Sequence, residues 1–190
     1  LFKQHPNVAV LSALGGPHRA VYAPWLDPVQ PLILETVRPE QIKRLQGRFP
    51  VRDPKQLAQS QASWDRLASG IKRLSDAGVK IGVGTDGGGQ QGDQFIGWTM
   101  HTELENMVTA GMTPMQVLVA ATRTSAGIAG LDDLGQIAVG KSADFVVLDA
   151  NPLDDITNTR RINRVYMQGR EVPRAEMRAK WQAEFRAASA

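Results

Sequence analysis

A carboxylate followed by glycines is the first feature of this sequence that could do chemistry. Asp86 and the glycines Gly87 and Gly88 come directly after Val79–Thr85, an apolar stretch typical of a buried strand. Barrel enzymes carry their catalytic groups at the carboxyl ends of such strands. The carboxylate could bind a cation or act as a base, and the glycines would allow close approach of a substrate. Asp before Gly is also common in turns, so spacing alone leaves both roles open.

The sequence has only three histidines, His5, His18 and His101, and none forms a His-x-His or His-Glu-x-x-His pair. A self-sufficient zinc site is therefore not visible. His101 and Glu105 lie four residues apart on one predicted helix, where the two side chains could meet. The favoured interpretation of this spacing is a plain surface pair.

The segment Gly135–Ser142 matches the phosphate-loop pattern G-x-x-x-x-G-K-S. That loop requires a buried strand before it and a helix after it, so that helix amides face the phosphate. Here a strand-like segment, Ala143–Asp149, follows instead. The pattern therefore predicts a turn between extended segments and argues against Lys141 as a phosphate ligand.

Hydrophobic periodicity predicts the elements that position these residues. A strand over Asn7–Leu11, a helix over Pro54–Ala77 and the strand Val79–Thr85 form a strand-helix-strand series long enough for a parallel crossover. Helices are predicted over Trp98–Ala110 and Pro114–Arg123. The order favours an α/β protein.

Flanking segments complete the predicted organisation. Gly15–Pro31 is rich in Gly and Pro and predicts a long loop, and Pro39–Gln46 has helical periodicity. Beyond Gly130 the period becomes extended, with a hairpin over Asn163–Val172. From Pro173 a terminal helix is predicted to place an apolar stripe against a neighbour; the stripe comprises Met177, Trp181 and Phe185.

Composition limits the classes of protein. The 190 residues are 42% hydrophobic and 22% charged, an ordinary globular composition, and a net charge of +3 does not demand nucleic acid. The absence of cysteine excludes disulfides and thiolate sites. No apolar run reaches the length of a membrane span. Because the chain opens on Leu1, we expect it to be part of something longer.

The ordered series of motifs resembles the C-terminal part of a metal-dependent amidohydrolase of the imidazolonepropionase-like or prolidase-like branch. The resemblance covers about Val79 to Arg170. It is carried by the blocks Val79–Gly88, His101–Pro114, Ala120–Thr122 with Ala126, Leu134–Ile137, Gly140–Asp149, Asn151–Ile156 and Val165–Arg170.

The resemblance implies an α/β fold: the C-terminal portion of a (β/α)8 TIM-type barrel, with its last two βα units, plus strands of a small β-sandwich. Residues 1–133 would belong to the barrel, 134–172 to the composite sandwich and 173–190 to a C-terminal helix. Asn7–Leu11 would be the seventh barrel strand and Val79–Thr85 the eighth.

The resemblance also implies an activity, the hydrolysis of a C-N bond in an amide, cyclic amide or small peptide by metal-activated water. Asp86 would contact the metal and accept a proton from that water, and Gly87, Gly88 and His101 would border the substrate. The cofactor would be a divalent metal, zinc first, with one or two ions left open. The alternative is a noncatalytic interaction or regulatory domain that keeps the fold.

Partners follow from what the resemblance requires. The family's remaining histidine and lysine or glutamate ligands would lie upstream of Leu1, so the expected partners are a small-molecule substrate and the missing N-terminal part of the barrel. By itself the chain is expected to be inactive. No nucleic acid or membrane partner is expected, and a homo-oligomer is left open.

Overall fold

The computed structural model describes residues 4–5, 7–15, 40, 53–86 and 97–189. In chain order their elements are β1 (Ala9–Ser12), α1 (Pro54–Asp76), β2 (Lys80–Val83), α2 (Trp98–Thr109), α3 (Pro114–Val119), a π-helical stretch (Ala120–Thr124), α4 (Ser125–Ile128), β3 (Phe145–Leu148), a 3₁₀ helix (Ile156–Arg160), β4 (Ile162–Met167), β5 (Arg170–Glu171) and α5 (Arg174–Ser189). None of the helices among these residues has the length and apolarity needed to cross a membrane.

Strands β1 and β2 form a parallel pair, with Ala9 opposite Lys80 and Ser12 opposite Val83. Parallel neighbours require a long crossover, and α1 lies within it. The predicted strand-helix-strand series is confirmed, with both strands somewhat shorter than the sequence indicated.

Helix α1 begins and ends where its sequence predicts. The Asp53 carboxylate accepts a hydrogen bond from the Lys55 amide at 3.1 Å, and Pro54 occupies the first turn, where its missing N–H costs nothing. Gly78, with a φ of 76°, ends the helix in a left-handed conformation that favours glycine.

The hydrophobic core lies between β2 and the helices that follow it. Its buried side chains include Ile81 from β2, Leu104 and Met107 from α2, and Val117 from α3; Met107 and Val117 have no exposed surface. Ile156 of the 3₁₀ helix joins the same cluster. The 3₁₀ helix thereby connects the second sheet to this core.

The second sheet is antiparallel, in the order β3-β4-β5. The rings of Phe145 and Tyr166 stack across β3 and β4 with centroids 4.6 Å apart. Gln168 and Gly169 both have positive φ, as a tight two-residue hairpin turn requires. The predicted hairpin is confirmed.

The terminal helix is confirmed, but the described part of the chain only partly covers its apolar stripe. Met177 is 38% exposed and Trp181 is 51% exposed. The expected packing of the whole stripe is therefore not found among these residues.

The phosphate-loop pattern forms a turn. Lys141 donates its ammonium hydrogen bond to the Asp132 carbonyl, the Ser142 amide donates to the Asp133 carbonyl at 2.9 Å, and strand β3 follows where a phosphate loop would have a helix. This agrees with the sequence interpretation.

Three other predictions fall outside the described residues. They are the Gly15–Pro31 loop beyond Gly15, the Pro39–Gln46 helix apart from Glu40, and the loop that contains Gly87 and Gly88.

Candidate active site

The carboxyl ends of β1 and β2 bring the candidate site together. The last paired residues are Ser12 and Val83, and Asp86 follows Val83 by three positions on the same edge of the sheet. Asp86 is exposed and has a φ of 52°, a left-handed conformation that Asp tolerates better than most residues. The chain therefore turns at the end of the strand and leaves this carboxylate accessible.

The two strand ends approach each other too closely for side chains. A Cβ on Gly84 would lie 2.4 Å from the Ser12 carbonyl oxygen, and one on Gly82 would lie 2.7 Å from Ile128 Cδ1. Glycine is required at position 84, where the clash is with the main chain, whereas at position 82 the neighbouring side chains would have to shift. Because Gly84 lies directly against Ser12, the exit of β2 toward Asp86 is tied sterically to the exit of β1.

Helix α2 places a buried polar face beneath this edge, which the sequence interpretation missed. Glu103 is 1% exposed, and its two carboxylate oxygens each accept a hydrogen bond at 2.9 Å, from the amides of Leu14 and Gly15. Ser12 is fully buried and its hydroxyl donates to Met107 Sδ at 3.5 Å. The available signal was spacing: Glu103 precedes the core residue Met107 by four positions, so both lie on the buried face.

Burial raises the pKa of Glu103, and the hydrogen bond from the Leu14 amide is the largest effect that opposes it. A buried carboxylate is unfavourable unless it is hydrogen-bonded. The Leu14 amide supplies the largest part of that compensation, followed by the Ser12 side chain, the Gly15 amide and the Asn106 side chain.

His101 and Glu105 do not form the surface pair that their spacing suggested. His101 Nδ1 lies 3.0 Å from Thr159 Oγ1, and Glu105 Oε2 lies 2.7 Å from Arg160 Nη2. Arg160 also stacks over the Trp98 ring, with Cζ 4.5 Å from the centroid. The side chains of His101 and Glu105 therefore attach α2 to the 3₁₀ helix, and the interpretation of these two residues as a surface pair is wrong.

The proton on His101 can be assigned from its partner. The Thr159 hydroxyl donates to the Ile156 carbonyl at 2.9 Å, so its oxygen accepts from His101, and the network assigns the proton of the neutral ring to Nδ1. Burial lowers the pKa of His101, and the Arg160 charge lowers it further. Burial raises the pKa of Glu105, opposed first by Arg160.

The structure places the predicted site residues in different surroundings. Asp86 lies at the expected edge, whereas Gly87 and Gly88 lie outside the described residues. His101 lies on the expected helix, with its ring directed to the 3₁₀ helix. Their roles toward a metal or substrate stay predictions.

Asp86 is the predicted metal ligand among the described residues. Asp86 offers carboxylate oxygens of the kind that divalent cations accept. Within the part of the chain that the structure describes, no group of three or more His, Asp or Glu side chains is placed to hold an ion. Asp86 thus fits as one ligand, and these residues do not complete a site.

Comparison with known proteins identifies the class. The profile of the amidohydrolase family matches residues 49–172, well over half of the chain, so the chain belongs to this family. The family and its solved members imply a TIM-barrel-type fold, and the described residues are mixed α/β.

One curated relative and two solved structures illustrate what the chain is similar to within this family. A 5-methylthioadenosine/S-adenosylhomocysteine deaminase of Bacillus thuringiensis (strain Al Hakam) is 33% identical over an alignment of 92 residues that covers 44% of this chain and 21% of the deaminase. A putative prolidase from Bifidobacterium longum is 33% identical with a TM-score of 0.53, over 74% of this chain and 33% of the prolidase. A Xaa-Pro dipeptidase with bound methionine is 26% identical with a TM-score of 0.53, over 70% of this chain and 32% of that protein.

These neighbours confirm the resemblance to the prolidase-like branch of the amidohydrolases. The chain spans 21% of the deaminase and about a third of each of the two solved structures.

Proposed function

We propose that this chain supplies the last two strand-helix units of a TIM-type barrel in a hydrolase of C-N bonds. In this arrangement β1 and β2 are neighbouring barrel strands, within a barrel segment of residues 1–133. Residues 134–172 form strands of a small composite sandwich and 173–190 a terminal helix. The parallel register of β1 and β2 and their helical crossover support this placement.

The observation that carries the proposal is the position of Asp86. It is an accessible carboxylate at the carboxyl edge of a parallel pair, in a chain of the amidohydrolase family. That edge is where barrel enzymes perform their chemistry.

In the proposed reaction a water attacks the carbon of the C-N bond and Asp86 accepts the water's proton, which it then relays to the leaving nitrogen. A divalent metal, zinc in the first instance, lowers the pKa of water when bound in such sites, and Asp86 would be one of its ligands. Gly87, Gly88 and His101 are proposed to border the substrate.

The proposed substrates are amides, cyclic amides and small peptides. The neighbours include a Xaa-Pro dipeptidase and a putative prolidase, which makes a Xaa-Pro dipeptide the first probe. The deaminase relative adds 5′-methylthioadenosine as a second probe. We propose that the rest of the barrel is the partner that completes the site.

Asp86→Asn in the complete enzyme tests the proposal. The amide is nearly isosteric but cannot accept a proton at neutral pH, so we expect turnover to fall by about 10² to 10⁴-fold, the usual contribution of a positioned acid-base group, with a smaller change in substrate affinity. Metal content is measured beside the rate, since the substitution also removes a negative charge from the site.

Asp76→Asn is the matched control. Asp76 pairs with Lys72 at the end of α1, just before β2 begins and therefore far from the carboxyl edge, so its variant should keep parental turnover. If Asp86→Asn keeps its metal and runs within about threefold of the parent, Asp86 is a turn residue and the proton-transfer role is wrong. If the parent hydrolyses neither probe nor a simple amide, a noncatalytic interaction or regulatory role replaces the proposal.

A further inference from the structure

Glu103 stands apart from the other charged side chains in the described part of the chain, because it alone is fully buried. It lies on α2, yet both of its oxygens are directed to the main chain that leaves β1. One oxygen accepts from the Leu14 amide and the other from the Gly15 amide, each at 2.9 Å. A side chain that served only to fill space would not need a charge at this position.

The two amides require that both oxygens of the residue 103 side chain act as hydrogen-bond acceptors. An ionised carboxylate accepts two hydrogen bonds, whereas a glutamine would turn an NH2 group toward one of the two amides. A buried amide without a partner is unfavourable, so an apolar residue of similar size would remove the acceptor of the buried Leu14 amide and an acceptor of the Gly15 amide. Glu103 is therefore the acceptor that holds this turn of the main chain in one conformation.

The turn that Glu103 holds lies at the same edge as Asp86. Ser12 and Val83 are opposite each other in the parallel register, and Leu14 and Asp86 lie two and three residues beyond them. Strands rise about 3.3 Å per residue, so the segments that follow β1 and β2 leave the sheet at a similar level. The close approach of Gly84 to the Ser12 carbonyl couples the two exits.

We propose that Glu103 is a positioning residue of the hydrolytic site: its carboxylate fixes the main chain after β1 at Leu14 and Gly15, and thereby the wall of the substrate site beside Asp86. This inference rests on the proposed function for its effect on catalysis. Its structural part, the carboxylate clamp on two successive amides, is tested without reference to activity.

The first test follows the two amides by NMR in the protein that contains this chain. In the parent, the Leu14 and Gly15 amide resonances should titrate together on acidification, because protonation of Glu103 removes the negative charge that strengthens both hydrogen bonds. In Glu103→Gln this titration should vanish and hydrogen exchange at the two amides should rise by about tenfold or more, the scale set by loss of one buried hydrogen bond. The parental titration needs no variant, so it decides even if Glu103→Gln folds poorly.

Glu105→Gln is the matched control, two positions away on the same helix. Its carboxylate pairs with Arg160 and not with the end of β1, so the Leu14 and Gly15 amides should behave as in the parent. If the two amides do not titrate in the parent, or if Glu105→Gln changes them as much as Glu103→Gln does, the clamp is overturned.

The second test measures turnover of a Xaa-Pro dipeptide in the complete enzyme. A misplaced site wall should lower kcat/KM of Glu103→Gln by about tenfold to a hundredfold, with Asp86 and metal content unchanged. The parental rate should also fall on acidification in step with the two amide resonances, and this component should be absent from Glu103→Gln. A purely structural role would change stability but not the pH profile.

The outcomes separate the two proposals. If the amides respond as expected but Glu103→Gln keeps parental kcat/KM and pH profile, Glu103 clamps the chain without positioning the site, and the inference is wrong. If the parent hydrolyses no probe, the proposed function fails and the catalytic part of the inference fails with it, while the amide titration still decides the clamp.

Discussion

The two sheets of this chain bury their residues very differently. One face of the β1-β2 pair is buried against helices, with Ile81 5% exposed and Ser12 fully buried, whereas Leu11 of β1 is 56% exposed. The β3-β4-β5 sheet leaves much of its apolar surface in solvent, with Val146 51% exposed and Met167 62% exposed. Parallel strands are normally buried on both faces, whereas antiparallel sheets tolerate a solvated face.

This difference shows where positional precision comes from. In the first region a dense core packs against β2, which leads to Asp86, and a buried carboxylate binds the main chain that leaves the neighbouring strand β1. The second region is held through the 3₁₀ helix by polar contacts of His101 and Glu105, together with Ile156. The first region is therefore expected to be sensitive to packing changes, and the second to changes in charge at its attachment.

A pair of methionine substitutions should show the largest effect. Met107→Ala, in the core of the first region, should lower the free energy of unfolding by about 2–5 kcal/mol because it removes buried apolar volume. Met167→Ala, on the second sheet, should cost under about 1 kcal/mol because the side chain is mostly exposed. Urea denaturation followed by circular dichroism measures both changes. Equal losses in the free energy of unfolding would contradict the expected difference between the two regions.

A pair of arginine substitutions should show an intermediate effect at the attachment. Arg160→Ala removes the partner of the half-buried Glu105 and the cation over Trp98, and should cost about 1–3 kcal/mol. Arg164→Ala breaks the exposed, 3.8 Å pair with Glu171 and should cost clearly less, because solvent screens that pair. The same denaturation experiment compares them. An Arg160→Ala loss no larger than that of Arg164→Ala would show that the attachment does not depend on this ion pair.

The smallest expected effect is a pH dependence of stability at His101. Its pKa is lowered in the folded protein, so the unfolded chain takes up the proton first, and stability should fall as pH decreases through about 6.5 toward the lowered value. The raised pKa of Glu105 changes stability with pH in the opposite direction. The parent should therefore be compared with a variant that differs from it only at residue 101.

His101→Asn keeps a donor toward Thr159 and cannot titrate, so its stability should vary less with pH over that range. Thr159→Ser, which keeps the accepting hydroxyl, is the control and should retain the parental slope. A parental slope in His101→Asn would place the pH dependence in another group.

Prediction from the sequence succeeded where the signal was local. Asp53-Pro54 and Gly78 mark the ends of α1, Gln168-Gly169 marks the hairpin, and the order of elements separates Lys141 from a phosphate loop. These features depend on the conformational preferences of a few adjacent residues, which act before any tertiary contact forms.

The predicted site was recovered only in part for the same reason. Asp86 could be proposed because a carboxylate after an apolar strand is visible in one segment. The contacts of Glu103 could not be predicted in this way, since its partners Leu14 and Gly15 are distant in sequence and donate through their main chain, which every residue possesses. The contacts of His101 and Glu105 were misjudged because their partners, Thr159 and Arg160, belong to a remote element.

By itself the sequence determined the strands, the longer helices, the hairpin turn, the family and the position of Asp86 at the end of a strand, but not the 3₁₀ helix Ile156–Arg160 or the π-helical stretch Ala120–Thr124. Only the tertiary structure decided the parallel register that sets Asp86 beside the exit of β1, the burial of Glu103 and the attachment of the second sheet through α2. The physical reason is that local propensity concerns neighbouring residues, whereas a buried charge becomes favourable only when the fold brings distant donors to it.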